Sequence, residues 1–124
     1  MHYVAVGLTI LTGLGIIWVG LQYLFAPVKS AKTFGLPAWP SDGPSAAWLN
    51  IKGVRDLVSG LVILIPLALG QYEVLGYLLL AAAVTPIGDA LTILRYRGNK
   101  TLAYAMHGGT AVGVILAGVL FLTA

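Results

Sequence analysis

Long apolar stretches separated by short polar connections dominate the chain. Four of them run over about residues 3–25, 46–69, 73–94 and 101–122. At ~1.5 Å per helical residue, each is long enough to cross a hydrocarbon core of ~30 Å. The pattern predicts an all-α integral membrane protein. It forms a single domain over residues 1–124, in which four transmembrane helices make an antiparallel bundle.

Several residues within or beside these stretches indicate where helices begin, bend or meet. Ser45 is placed to cap the second helix, and Pro66 is expected to kink that helix near its far end. Pro86 leaves the carbonyl of Ala82 without its helical donor. In the fourth stretch, the small residues of Gly109-x-x-x-Gly113-x-x-x-Ala117 allow a close contact with another helix.

Composition supports the membrane assignment and excludes several kinds of site. Hydrophobic residues make up 59% of the chain and charged residues only 9%, against about 25% charged in soluble domains. Cysteine is absent, which excludes disulfides, thiolate nucleophiles and cysteine metal ligands. With only His2 and His107 as histidines, we expect no metal site and no cofactor.

The basic residues predict the orientation in the membrane. All seven lie in or near the first and third loops: Lys29, Lys32, Lys52, Arg55, Arg95, Arg97 and Lys100. By the positive-inside rule these two loops are cytoplasmic, and both termini lie on the non-cytoplasmic side. The net charge of +3 is therefore explained by topology, and no nucleic-acid partner is expected.

The second stretch carries charge where a membrane helix should have none. Lys52, Arg55, Asp56 and Ser59 recur at helical spacing, which predicts one polar face. Charged side chains inside a membrane are costly, so they usually face protein or water and mark function.

Two other helices carry polar residues at a matching depth. Asp89 shares a face with Thr85 and Thr92, and His107 shares one with Tyr104. Asp56, Asp89 and His107 all lie roughly 9–15 Å in from the basic ends of their helices. We expect one polar pocket near the cytoplasmic surface. The catalytic candidates are Asp56, Asp89, Arg55 and His107, and the substrate-binding candidates are Lys52, Asn50, Ser59, Thr85, Tyr104 and Trp48.

Two carboxylates, an arginine and an imidazole suit acid–base chemistry. One aspartate would act as acid and the other as base, and Arg55 would stabilise an oxyanion or hold an anionic group. A hydrophobic small molecule entering from lipid or cytoplasm would suit isomerisation, cyclisation or epoxide opening. The alternative is a purely structural role, in which the charges form a compensated ion-pair cluster that fixes helix register. Lys52 and Arg55 could also extend to the membrane surface.

Two further functions fit the same pattern. One is a transporter or ligand-binding subunit for a proton-coupled or anionic small molecule, with homo-oligomers possible. The other is a structural subunit of a larger membrane complex. The loop from Ala26 to Pro44, rich in proline and aromatic residues, either anchors the chain among the headgroups or covers the pocket.

Four short sequences together resemble a known family. They are Phe34-Gly35-Leu36-Pro37, Lys52-Gly53-Val54-Arg55-Asp56-Leu57-x-x-Gly60, Gly88-Asp89-Ala90 and His107-Gly108. They are similar to the small membrane proteins called domain of unknown function 4267, within the wider DoxX-like group. The resemblance implies a four-helix fold with polar positions at Arg55, Asp56, Asp89 and His107. It implies no settled activity, although relatives beside biosynthetic enzymes favour an enzyme or an accessory role.

Overall fold

The computed structural model describes residues 1–123 and is helical throughout, with no strand in that range. The elements are α1 (His2–Phe25), α2 (Pro27–Ala31), α3 (Gly43–Ala68), α4 (Tyr72–Ala82), α5 (Val84–Arg95), a π-helical segment (Leu102–Gly108) and α6 (Gly109–Thr123). The predicted all-α class is confirmed for these residues.

Three helical stretches are long and apolar enough to cross a membrane: His2–Phe25, Tyr72–Arg95 and Leu102–Thr123. Helix α3 is longer than any of them, at 26 residues, but it also holds three charged side chains in its middle. The chain thus has the helices of an integral membrane protein, and α3 differs from the others by its charge.

The start of α3 differs from the prediction. The helix begins at Gly43 with Pro44 in its first turn, and Asp42 occupies the cap position. The prediction of a Ser45 cap is therefore wrong: proline suits the first turn of a helix, and with Pro44 there the helix starts three residues earlier than predicted. Ser45 Oγ instead donates to Asp42 Oδ2 at 3.0 Å, and this hydrogen bond lowers the pKa of the Asp42 carboxyl below its ordinary value.

The third apolar stretch is divided into two helices. Helix α4 ends at Ala82 and α5 begins at Val84, with a turn at Ala83. Pro86 has no N–H to donate to the carbonyl of Ala82, so the helical pattern is interrupted there. Hydrogen bonds from Ala83 N to Leu79 O and from Ile87 N to Ala83 O, at 3.0 and 3.2 Å, span the break. Helix α5 therefore continues in the direction of α4.

The fourth stretch begins as a π-helix. The segment Leu102–Gly108 has the wider turn and carries His107 near its end, and α6 continues from Gly109. A π-turn inserts one residue relative to an α-helix and is frequent at functional sites. Hydrophobic periodicity alone does not predict it, and it changes the direction in which His107 points.

Helices α1 and α3 lie backbone to backbone. An added Cβ on Gly20 would lie 2.7 Å from the Gly53 carbonyl oxygen, and one on Gly60 would lie 2.7 Å from that of Gly13. Because residue numbers rise along one helix as they fall along the other, the two helices are antiparallel. Only glycine allows this approach, which brings the middle of α3 against the last turns of α1.

Helices α4 and α6 make a second close contact through Gly76 and Gly118. An added Cβ on either would lie 3.2 or 3.0 Å from the carbonyl oxygen of the other. Added Cβ atoms on Gly109 and Gly113 would meet nothing within 4 Å. Of the predicted small-residue ladder, only Ala117 is buried, because the contact with α4 follows the Ala117–Gly118 side of α6.

The two ends of the molecule differ in character. At one end, the His2 ring packs against Tyr72 and Phe121, with centroids 4.7 and 5.8 Å away. At the other end, Asn99 N donates to Gly35 O at 2.7 Å, which joins the first and third loops. An apolar core extends from the terminal end to the middle of the molecule: Ala5, Ile63, Leu75, Leu79, Ala83, Val114, Ala117 and Phe121.

Candidate functional site

A partly buried ion pair lies on the inner side of α3. Lys52 Nζ is 2.6 Å from Asp56 Oδ2, one helical turn away, and Asp56 is only 8% exposed. The same ammonium lies 4.2 Å from the centre of the Tyr23 ring and 5.2 Å from that of Phe34. A carboxylate on one side and aromatic faces on the other thus stabilise the charge of Lys52 away from bulk water.

A second polar pair joins α5 to the π-helical segment. His107 is buried, and its Nε2 lies 3.0 Å from the Phe34 carbonyl oxygen. A carbonyl oxygen only accepts hydrogen bonds, so Nε2 carries the hydrogen and donates. The other ring nitrogen, Nδ1, lies 3.8 Å from Asp89 Oδ2. The loop carbonyl therefore fixes which nitrogen of His107 is left to exchange a proton with Asp89.

The two pairs form one electrostatic cluster. Tyr23, Lys52 and Asp89 line one cavity. The Phe34 ring joins the two pairs, because its centre lies 5.2 Å from the Lys52 ammonium and 4.5 Å from the centre of the His107 ring. With Lys52 and Asp56 both charged, one proton shared between Asp89 and His107 leaves the whole cluster neutral. A buried cluster that holds one transferable proton without net charge is suited to acid–base work.

A cavity of about 260 Å³ lies against this cluster. Its ceiling is the segment of residues 32–42 between α2 and α3, here called the cover loop, which contributes Phe34, Leu36 and Trp39. Lys52, Asp89 and Thr92 supply the polar part of the wall. Residues of the first loop therefore line the cavity, and which of the two predicted roles the loop has, anchor or cover, stays a prediction.

Glycine and hydrogen bonds hold the cover loop in place. Gly35 has φ +118°, a conformation that residues with a side chain rarely adopt. Its carbonyl oxygen accepts from Asn99 N at 2.7 Å, and Gly98 touches the same peptide unit. The neighbouring carbonyl, of Phe34, accepts from His107. Two adjacent peptide units therefore attach the cover loop to the helices that carry Asp89 and His107.

A second cavity, of about 270 Å³, continues from the first. Leu36, Ala38 and Thr92 border both cavities, and Pro37 and Tyr96 border the second one alone. This second cavity follows the outer side of α5 toward its last turn. The polar cluster is therefore reached along a mostly apolar groove between the cover loop and α5.

The structure brings together four of the ten predicted site residues. Asp56, Asp89, His107 and Lys52 belong to the cluster described above. A fifth, Asn50, lies beside it, and its Nδ2 donates to the carbonyls of Tyr23 and Leu24 at 3.0 and 3.4 Å. Asn50 thus satisfies carbonyls at the end of α1 and holds Tyr23 in position.

The other five lie away from the cavity. Arg55 and Ser59 are exposed, and Ser59 Oγ donates to the Arg55 carbonyl at 2.8 Å. The buried side of α3 is the one whose glycines contact α1. Arg55 and Ser59 lie outside that side. The side chains of Thr85, Tyr104 and Trp48 are exposed as well; Tyr104 is 65% exposed and Trp48 70%.

Two parts of the cluster are absent from the sequence-based prediction. Tyr23 is 3% exposed and faces Lys52 from α1. Its spacing of three residues from Gly20 places it on the face that contacts α3, which is a signal available in the sequence. The Phe34 carbonyl has no signal in the sequence, because a backbone atom contributes through the path of the loop.

The donor set of the cluster is two carboxylates, one amine, one imidazole and one phenol. Within residues 1–123, no group of three or more His, Asp or Glu side chains has the arrangement of metal ligands. The groups present can donate, accept and relay protons, and the ammonium can stabilise negative charge.

Comparison with known proteins places the chain in one family. The model of the family described as Domain of unknown function (DUF4267) matches residues 13–121, which confirms the resemblance identified from the short sequences. No curated protein and no solved structure matches the chain.

Proposed function

We propose, on the premise that the chain belongs to the DUF4267 family, that it is a small membrane-embedded enzyme. It would act by acid–base chemistry on a hydrophobic small molecule, by isomerisation, cyclisation or epoxide opening. The observation that carries the proposal is the cavity whose wall contains Asp89, with His107 Nδ1 3.8 Å behind that carboxyl.

Asp89 is the group that meets the substrate. One third of its side chain is exposed, whereas His107 behind it is 10% exposed. In the proposed reaction, the Asp89 carboxyl gives a proton to the substrate or takes one from it. His107 Nδ1 restores the original protonation of Asp89. The 3.8 Å separation is longer than a hydrogen bond, as is common for catalytic pairs before substrate is bound.

Lys52 is placed to stabilise negative charge. Its ammonium borders the cavity and is held by Asp56 and by the faces of two aromatic rings. An oxygen that gains charge during proton transfer or epoxide opening would be stabilised by this cation in a site with little water. The role assigned to Arg55 from the sequence passes to Lys52, because Arg55 lies on the exposed side of α3.

We further propose that α3 crosses the membrane together with the other three stretches, as an antiparallel bundle of four spans. Its inward charges are paired, and its contact with α1 extends from Gly53 to Gly60. The end with the basic loops would face the cytoplasm, and both termini would lie on the other side.

The packing favours an enzyme over a transporter. A transport path from the cavity would have to continue through the terminal half of the molecule. The residues that fill this half are the apolar core of Leu75, Leu79, Val114 and their neighbours. A pocket that ends at a polar cluster is the shape an enzyme needs, because substrate and product use the same opening.

The test uses heavy water to detect proton transfer to an unknown substrate. Purified protein in lipid nanodiscs is incubated in D2O with the lipid-soluble extract of the source cells, and deuterium uptake is measured by mass spectrometry. Isomerisation and cyclisation through protonation place deuterium on carbon. Epoxide opening by water is followed in parallel with H2¹⁸O, because deuterium on a new hydroxyl is lost by exchange during isolation. The wild-type protein should label specific compounds.

The matched variants are Asp89→Asn and Glu73→Gln. Each replaces a carboxylate by an amide, but Glu73 lies in the first turn of α4, at the other end of the molecule. Asp89→Asn should reduce labelling by at least about 100-fold, and Glu73→Gln should leave it unchanged. Equal labelling by wild type and by folded Asp89→Asn protein, or no labelling by wild type, would contradict the proposal.

A further inference from the structure

The cavities also indicate what kind of molecule reaches the cluster. We infer, building on the proposed function, that the substrate is an uncharged single-chain amphiphile. Its hydroxyl, carbonyl or epoxide oxygen would lie at Lys52 and Asp89, and its hydrocarbon chain would follow the groove between the cover loop and α5.

The charge of the cluster selects an uncharged head. Lys52 is already compensated by Asp56 at 2.6 Å, and Asp89 adds a second carboxyl that His107 matches. A carboxylate or phosphate head would bring negative charge beside two aspartates without a free cation to receive it. The cluster can still make hydrogen bonds to a ligand. The Lys52 ammonium and the Asp89 carboxyl offer them to a neutral oxygen.

The size of the inner cavity limits what it can hold. Sites for drug-sized ligands enclose about 300–1,000 Å³, and the inner cavity has about 260 Å³. It therefore accommodates a head and the first part of a chain. The second cavity, of about 270 Å³, provides the continuation.

The direction of the groove indicates where the substrate enters. From the cluster it passes Leu36, Ala38 and Thr92 and ends beside Tyr96, whose side chain is 58% exposed. Tyrosine at a helix end is typical of the membrane–water boundary. The substrate therefore enters along the groove from this boundary, at the end of the molecule that carries the basic loops, and its chain lies beside the outer side of α5.

Photolabelling tests this inference directly. The probes are decanol and decanoic acid that each carry the same photoactivatable diazirine on the chain. Both are added to the protein in nanodiscs at equal concentration in the bilayer, and labelled peptides are identified by mass spectrometry. Decanol should label residues 34–40 and 89–96, and excess unlabelled decanol should remove this labelling. Decanoic acid at neutral pH should label these segments at least about tenfold less.

A blocking variant separates the groove from the general lipid surface. Ala38→Phe places a ring where both cavities meet and should reduce decanol labelling of 89–96 about tenfold. Ala47→Phe is the control, because Ala47 is exposed on α3 and borders neither cavity. Labelling spread evenly over the outer helix faces, equal labelling by decanoic acid, or no effect of Ala38→Phe would each overturn the inference.

The outcome is separable from that of the enzymatic proposal. Specific labelling without any deuterium transfer would retain the ligand class and remove the enzyme. Deuterium transfer to a compound with a charged head would retain the enzyme and remove the ligand class.

Discussion

Lys52 illustrates how single residues maintain charge inside a mostly apolar protein. Its ammonium is shared between the Asp56 carboxylate and the rings of Tyr23 and Phe34. The carboxylate, in turn, is almost fully buried and has this cation as its ionic partner. Removing one member therefore leaves an uncompensated charge, whereas removing both leaves only a packing defect.

Lys52→Met should accordingly destabilise the protein by about 3 kcal/mol, because Asp56 is left buried and charged. The double variant Lys52→Met/Asp56→Leu should recover most of this loss. Thermal unfolding in detergent, read by circular dichroism, measures both. If the double variant is as unstable as the sum of the two single variants, the residues do not stabilise each other.

At the scale of elements, hydrophobic pattern predicts where the helices are but not their internal irregularities. The apolar stretches predict the positions of α1, α3 and the two halves of Tyr72–Arg95 to within a few residues. The break at Ala83 follows from Pro86, and its cause was visible in the sequence. The π-helical segment Leu102–Gly108 has no such marker in the sequence.

The rotation of α3 about its own axis is also not predicted by the hydrophobic pattern. Spacing alone groups Lys52, Arg55, Asp56 and Ser59 on one face, but it does not say which edge of that face is buried. The backbone contacts of Gly53 and Gly60 with α1 decide this. Those glycines turn Asp56 inward and leave Arg55 and Ser59 exposed.

Gly20→Ala tests the α1–α3 contact. The added Cβ would lie 2.7 Å from the Gly53 carbonyl oxygen and 2.8 Å from Leu57 N, so the helices must separate. We expect a loss of about 1–3 kcal/mol of stability. Gly15→Ala on the same helix is the control, since its Cβ would meet nothing within 4 Å. Equal thermal stability of the two variants would show that the close approach is not needed.

On the scale of the whole molecule, polar and apolar ends are separated. The cluster, the cover loop and the basic loops lie at one end, and the apolar core extends toward the termini. Matching the depths of Asp56, Asp89 and His107 along their helices predicts that these residues lie near one another, and the structure pairs Asp89 with His107 and Asp56 with Lys52. Depth carries no information about the direction in which a side chain points, and Thr85, Tyr104 and Trp48 are exposed.

The proposed orientation can be tested by cysteine labelling, which the natural absence of cysteine makes simple. Lys32→Cys and Arg97→Cys should react with a membrane-impermeant maleimide only after cells are permeabilised, because the proposed orientation places the basic loops in the cytoplasm. Glu73→Cys should react in intact cells. Reaction of Lys32→Cys and Glu73→Cys from the same side would contradict the four-span arrangement.

In the proposed reaction, the Phe34 carbonyl holds His107 so that Nδ1 faces Asp89 and exchanges a proton with it. The most direct test is ¹⁵N NMR of histidine-labelled protein in nanodiscs, with His2→Asn present so that only His107 is observed. We expect a protonated, hydrogen-bonded Nε2. We also expect an Nδ1 resonance that is shifted in the Asp89→Asn variant but not in the Glu73→Gln variant. An unprotonated Nε2, or an Nδ1 resonance unaffected by Asp89→Asn, would contradict it.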